Sequence, residues 1–265
     1  MTRDAGVVFH VHVMKTAGTT VNNTLMEFYP PASRYVQAKT KMDAAHMKVS
    51  PQALFGLSPQ RKEELRYISG HMPLGAALRY RDESTRPVAI TLLLRDGLER
   101  AVSNLLHLAR QCDFAFSYRE LLDDPVLGNY FLSNHQTRAL GLRESGWAEW
   151  QRCFERLLFL KLHLETPEAQ FTVSPVEEED LARAVSGLPE VDVLGVQGQF
   201  DDWWRRCHTR VGWPLAHSLP VNVGAKTQRR RAPDIPGSVM DELRERNRLD
   251  ESLCAAARER LSAHA

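Results

Sequence analysis

A chain of 265 residues that is 43% hydrophobic and 25% charged has the length and balance to bury a full core, which excludes disordered and fibrous classes. Its formal net charge is +1, so nothing draws the molecule as a whole toward nucleic acid or an anionic membrane, and any anion site has to be built locally. No apolar run approaches the roughly eighteen residues of a membrane span, and no charged-then-apolar leader opens the chain. The four cysteines, Cys112, Cys153, Cys207 and Cys254, are widely spaced without a CxxC pair. That argues against a zinc ribbon or a disulfide framework and sets the expectation of a reduced, cytoplasmic setting.

In chain order, Val7 to Val13 reads as a buried strand. Val21, Leu25 and Phe28 then fall at helical spacing until Tyr29-Pro30-Pro31 ends the pattern. Ser50-Pro51 and Ser58-Pro59 are helix starts within an otherwise polar stretch. "RYISGHM" (Arg66 to Met72) is a short strand ending at a turn. "VAITLLLR" (Val88 to Arg95) is the clearest buried strand, and "LERAVSNLLHLAR" has the period of a helix. Residues 117 to 164 read as mainly helical, with Trp147, Trp150, Phe154, Leu157 and Leu158 on one face. "EEEDLARAVSGL" is a further helix, "VDVLGVQ" a fourth strand and "FDDWWRRCHTRVGW" a helix. "LPVNVGAKTQRRRAPDIPG" is a loop, and residues 238 to 262 form a charged terminal helix. Strands alternating with helices, with no repeat and no linker, predict one domain over residues 1–265. Its fold is α/β, a three-layer arrangement with a central parallel sheet flanked by helices.

The stretch "HVMKTAGTT" (His12 to Thr20) stands where the first strand gives way to the first helix. Unpaired amides and the positive end of the helix dipole converge at such a turn and favour an anion. Ala17 and Gly18 let a ligand approach the backbone, Lys15 brings a mobile charge, and Thr16, Thr19 and Thr20 bring hydroxyls. Taken alone, the same letters also describe an ordinary helix start with an exposed lysine. A Walker A loop needs G-x-x-x-x-G-K-[ST]. Here the first glycine is missing and Lys15 precedes Gly18, which disfavours an ATPase or kinase loop.

The order of these residues resembles the 5′-phosphosulfate loop of sulfotransferases that use 3′-phosphoadenosine 5′-phosphosulfate (PAPS), in particular the heparan 2-O-sulfotransferase-like and bacterial branch. That family reads H-I-P-K-T-[AG]-G-T-[ST], so Met14 stands in place of proline. "RDGLERAVS" (Arg95 to Ser103) resembles the family's R-D-P-x-x-R-x-x-S element, with Gly97 in place of proline. Outside that context Arg95, Asp96 and Arg100 make an ordinary surface ion-pair group. "NHQTRAL", "VLGVQGQFDDW", "LPVNVGAKTQ" and "NRLDESLCAAA" are similar to later family elements, so the resemblance runs from residue 8 to about 257 in family order.

The resemblance implies a P-loop NTPase-like fold and sulfuryl transfer from PAPS to an acceptor hydroxyl by in-line displacement, leaving the bisphosphate PAP. It places the 5′ end of the nucleotide on Lys15 to Thr20. The 3′-phosphate falls to Arg95 and Ser103, with Lys226 and Arg229 from a closing loop that also carries Arg230 and Arg231. His71, in "SGHM", corresponds to the catalytic base, although a histidine bonded to a loop carbonyl would look the same in sequence. Lys15 stabilises charge on the bridging oxygen. His12 orients the turn, and no third ligand joins His10 and His12 as a metal set, so no metal is expected. His107 shares a helix face with Ser103 and can border the acceptor. Arg138 can reach nucleotide or substrate, or lie on a helix surface. The acceptor itself, whether carbohydrate, lipid, small natural product or peptide tyrosine, is not written in the sequence. No nucleic-acid partner is expected, and a bacterial enzyme is. Two alternatives are an ATP-dependent phosphotransferase on the same architecture and a catalytically silent nucleotide-binding protein.

Overall fold

Alternation along the first strand sorts the molecule into layers. In the computed structural model, which describes residues 6–36, 50–161, 173–215 and 234–263 (side chains at 155, 156 and 158–161 excepted), strand β1 (Val7–Val11) sends Val7, Phe9 and Val11 into one apolar cluster. Val8 goes into another on the opposite face, as a period of two requires. Helix α1 (Gly18–Phe28) covers that second face with Val21 and Leu25, while Phe28 is 48% exposed. Strand β2 (Arg34–Val36) follows, then α2 (Pro51–Phe55) and α3 (Pro59–Glu64). These two short helices begin as expected, with Ser50 and Ser58 accepting from the amides of Ala53 and Arg61 and a proline in the first turn.

Strand β3 (Tyr67–Gly70), α4 (Leu74–Glu83) and β4 (Val88–Leu94) come next, followed by α5 (Gly97–Gln111). The helical stretch beyond is α6 (Tyr118–Asp123), α7 (His135–Gly141), α8 (Trp147–Lys161) and α9 (Glu178–Gly187). Strand β5 (Val193–Val196) leads to α10 (Phe200–Val211), and α11 (Gly237–Arg246) and α12 (Arg248–Ser262) complete the described chain.

All strand pairs are parallel, in the order β2-β3-β1-β4-β5. One face carries α1 and α10, whose Trp203, Trp204 and Cys207 pack on Val8, Leu93 and Val193. The other carries the larger cluster, including residues of α4, α5, α8, α11 and α12. The fold is therefore the three-layer α/β arrangement predicted from the sequence. The chain moves from β3 on one side of β1 to β4 on the other, so the strand order reverses at β1. The crevice above the carboxyl ends of β3, β1 and β4 is where ligands bind in open sheets of this kind.

Three elements depart from the sequence reading. The edge strand β2 was unexpected, because three half-buried residues carry no alternation to read. Its Arg34 caps the end of α1 through Tyr29 O at 2.9 Å. Helix α4 occupies a stretch that had no assigned element. The single terminal helix expected over 238 to 262 is two helices broken at Asn247, which gives up helical geometry to use its side chain elsewhere.

Candidate functional site

The turn between β1 and α1 is wound unusually for non-glycine residues. Lys15 (φ 68) and Ala17 (φ 67) both lie in the left-handed region, with Thr16 of negative φ between them. Alternating backbone of this hand directs successive N–H groups into one concavity and makes an anion nest. Ala17 is the N-cap of α1 and has no side chain to offer the first-turn amides, and no acidic residue sits in that turn. The Thr16 hydroxyl donates inward to Val13 O at 2.9 Å and is buried, so it braces the turn. Thr19 and the buried Thr20 occupy the first turn of α1, and Lys15 is half-buried. Met14 places its side chain in the core.

Gly18 is required by a close approach. A Cβ there would lie 1.8 Å from Cδ2 of His12. That imidazole is held by Asn22, 3.5 Å from its Nδ1, and Asn22 in turn accepts from Tyr67 OH at 2.8 Å. Burial, reinforced by His71, His10 and Lys15, keeps His12 well below the ordinary histidine range and therefore neutral.

His71 stands at the end of β3, its ring centroid 4.2 Å from that of His12. Its Nδ1 is 2.9 Å from His12 O. A carbonyl can only accept, so Nδ1 carries the proton and the lone pair of the neutral ring is on Nε2. Helix α8 fixes the same residue from the other side: Trp150 Nε1 donates to His71 O at 2.7 Å, and the Phe154 ring stacks on the imidazole at 5.3 Å.

Arg95 follows β4 and reaches back across the crevice. Its Nη1 lies 3.4 Å from Lys15 O and its Nε 3.3 Å from Glu99. Behind it, Gln136 accepts from Arg95 N at 2.9 Å and donates to Arg95 O at 2.6 Å, while Cys254 Sγ also donates to Arg95 O at 2.9 Å. Gln136 belongs to α7, whose first-turn amides at Gln136 and Thr137 donate to the carboxylate of Asp250 at 3.1 and 2.8 Å. Conversely, Asn134 Oδ1 accepts from Leu249 N and Asp250 N in the first turn of α12. Asn247, at the break between α11 and α12, accepts from Arg100 and from Asn134 N, and donates to Leu132 O and Leu243 O. Arg100 is wholly buried against Asp250 at 3.4 Å. The surface ion-pair reading of Arg100 is thus overturned, because its guanidinium has five donors to satisfy and finds acceptors only in the core.

The substitution of Gly97 in the second motif also has a physical reason. A Cβ at that position would come within 2.8 Å of Asp250 Cβ and 3.2 Å of Asn247 O, so the start of α12 packs where any other residue would project. The N-terminus of α5 is capped by Asp96 on Glu99 N at 3.0 Å and by Glu251 on Leu98 N at 2.9 Å. Burial and the neighbouring Asp96 raise the Glu251 carboxyl above its usual range.

Beyond Arg95 a cavity of about 510 Å³ opens between α5, the β5–α10 turn and α12, lined by Asp96, Glu99, Gln197, Gln199 and Arg258 among others. Arg258 was missed in the sequence, where it is one basic residue in a charged helix. Its only signal is its place two turns beyond Glu251. Ser103 and His107 are half-buried further along α5. Arg138 is buried rather than on a surface: it donates to Ser174 O at 2.7 Å, pairs with Glu149 at 3.6 Å and lies over the Tyr130 ring. Lys226 and Arg229 to Arg231 lie outside the described residues. Among the described residues, no three His, Cys, Asp or Glu side chains form a metal cluster, and no helix is long and apolar enough to cross a membrane.

No protein-family model matches the chain, and no curated protein matches it. Among solved structures, it is similar to a sulfotransferase from Alicyclobacillus acidocaldarius at 14% identity, with 97% of this chain and 96% of that chain covered and a TM-score of 0.43. At that score the likeness decides neither fold nor activity.

Proposed function

We propose that the chain is a PAPS-dependent sulfotransferase acting on a hydroxyl-bearing acceptor. The observation that carries this reading is the placement of two cations side by side: Lys15 in the nest-forming turn before α1, and Arg95, which lines the 510 Å³ cavity with its Nη1 3.4 Å from Lys15 O. Two cationic positions at one end of the sheet suit a nucleotide with a charged group at each end, and the cavity lies in the range that holds one. The donor set fits PAPS, which when bound supplies an activated sulfuryl group.

In this reading the amides of Gly18 and Thr19 and the Lys15 ammonium hold the 5′ end of the nucleotide and stabilise charge on the departing oxygen. Arg95, with Ser103 and with Lys226 and Arg229 from the loop, holds the 3′-phosphate through its planar fork. His71 takes the acceptor proton at Nε2, because Nδ1 is committed to His12 O. The bond to His12 O is common to a base and to a structural histidine; what it fixes is which nitrogen carries the lone pair. The acceptor hydroxyl, whether of a carbohydrate, a lipid or a small natural product, would approach beside Phe154, whose ring stacks on the His71 imidazole.

Calorimetric titration with PAP in the absence of metal, beside ATP with magnesium, tests the reading. PAP binding that is lost in Lys15→Ala and in Arg95→Ala supports it, and His71→Ala should then abolish turnover while still binding PAP. Folded protein that ignores PAP but binds ATP with magnesium would instead be the phosphotransferase.

A further inference from the structure

The amide of Gln136 closes on both backbone groups of Arg95, at 2.9 and 2.6 Å, inside the core. Strand β4 ends one residue earlier, at Leu94, so the side chain does for Arg95 what a neighbouring strand would do: it pairs N–H and C=O together and fixes φ and ψ where the strand turns into α5. Gln136 is itself placed by the Asp250 carboxylate on its own amide. Arg95 meets Lys15 O only at 3.4 Å and an exposed Glu99, contacts too weak to set the direction of a long side chain. Its aim is therefore set from the backbone.

We infer that Gln136 is the positioning residue for Arg95 and thereby sets the preference of the site for a nucleotide bearing a second phosphate. The inference rests on the sulfotransferase reading for the identity of that phosphate. Removing the clamp leaves the Lys15 turn intact, so the cost falls on the 3′-phosphate, the group to which Arg95 contributes, and not on the 5′ end. The two ligands that separate these effects are PAP and AMP, which differ in the 3′-phosphate.

The experiment measures PAP and AMP affinity by calorimetry for wild type, Gln136→Leu, Gln136→Glu, Arg95→Ala and the Arg95→Ala/Gln136→Leu double variant. Gln136→Leu should weaken PAP by about tenfold and leave AMP within about twofold, with no further loss once Arg95 is gone. Gln136→Glu keeps the size and carries the same test if the leucine variant does not fold. Its protonated carboxyl can both donate and accept, whereas the carboxylate would stand beside Arg95 O, Cys254 and Asp250, so PAP affinity relative to wild type at the same pH should recover from about pH 8 to about pH 6. Equal losses for PAP and AMP, or a loss that persists without Arg95, would overturn the inference while leaving the sulfotransferase reading in place. Wild-type protein that binds PAP no better than AMP would overturn both.

Discussion

Asn134 caps the helix that carries Asp250, and Asp250 caps the helix that Asn134 begins. The exchange leaves neither helix start dependent on its own sequence. It explains why α7 can open on a left-handed Asn134 (φ 44) with no cap bond of its own.

The Asp250 carboxylate is the keystone of that exchange, since it also faces the buried Arg100. Asp250→Ala should cost about 3 to 5 kcal/mol, because it strands a buried guanidinium and uncaps α7. Urea denaturation measures the loss. Arg100→Met added to Asp250→Ala should recover part of it, and a double variant as unstable as the single would contradict the pairing.

At Gly18 the constraint is the His12 ring. Gly18→Ala should destabilise by about 1 to 3 kcal/mol through overpacking, and His12→Ala should relieve it. A double-mutant cycle on thermal midpoints checks this, with a coupling near zero as the contrary result.

The buried histidines predict acid sensitivity. Burial pushes His10 down to about 3 and His12 well below its ordinary value. The unfolded chain protonates both near 6.5, so it binds more protons than the folded state once the pH drops below that point. Stability should hold above about pH 6.5 and then fall, with His10 alone contributing about 1.4 kcal/mol per pH unit down to about pH 3. Urea midpoints at several pH values, compared with His10→Asn, test the slope. A variant with an unchanged slope would refute the role of His10.

For His71 the prediction is a tautomer. Nitrogen chemical shifts of the neutral ring should report hydrogen on Nδ1. A proton on Nε2 would remove the candidate base.

What the sequence disclosed is what its own neighbours determine. The β1–α1 turn, the buried run of β4 and the serine-proline helix starts are local, and each was read within a residue or two. The roles of Gln136, Asn134, Asn247 and Asp250 were not, because Gln136 clamps a residue 41 positions away and the other three join segments more than a hundred residues apart. The burial of Arg100, which reads as part of the second motif or of a surface ion-pair group, and of Arg138, which reads as facing nucleotide, substrate or solvent, was not legible, because nothing beside them announces the carbonyls and carboxylates they meet in the core. The departures at Gly97 and Met14 were visible as letters, but only the packing of α12 explains the glycine.

Cys254 and Arg95 are 159 residues apart. At a synthesis rate of about 5 to 20 residues per second, Arg95, just past the end of β4, waits about 8 to 30 s for the helix that carries Cys254. A nascent chain therefore carries Arg95 without the Cys254 thiol on its carbonyl over that interval. Full bracing of Arg95 should come last as the protein is made, since Gln136, its other support, is itself placed by Asp250 on the same late helix.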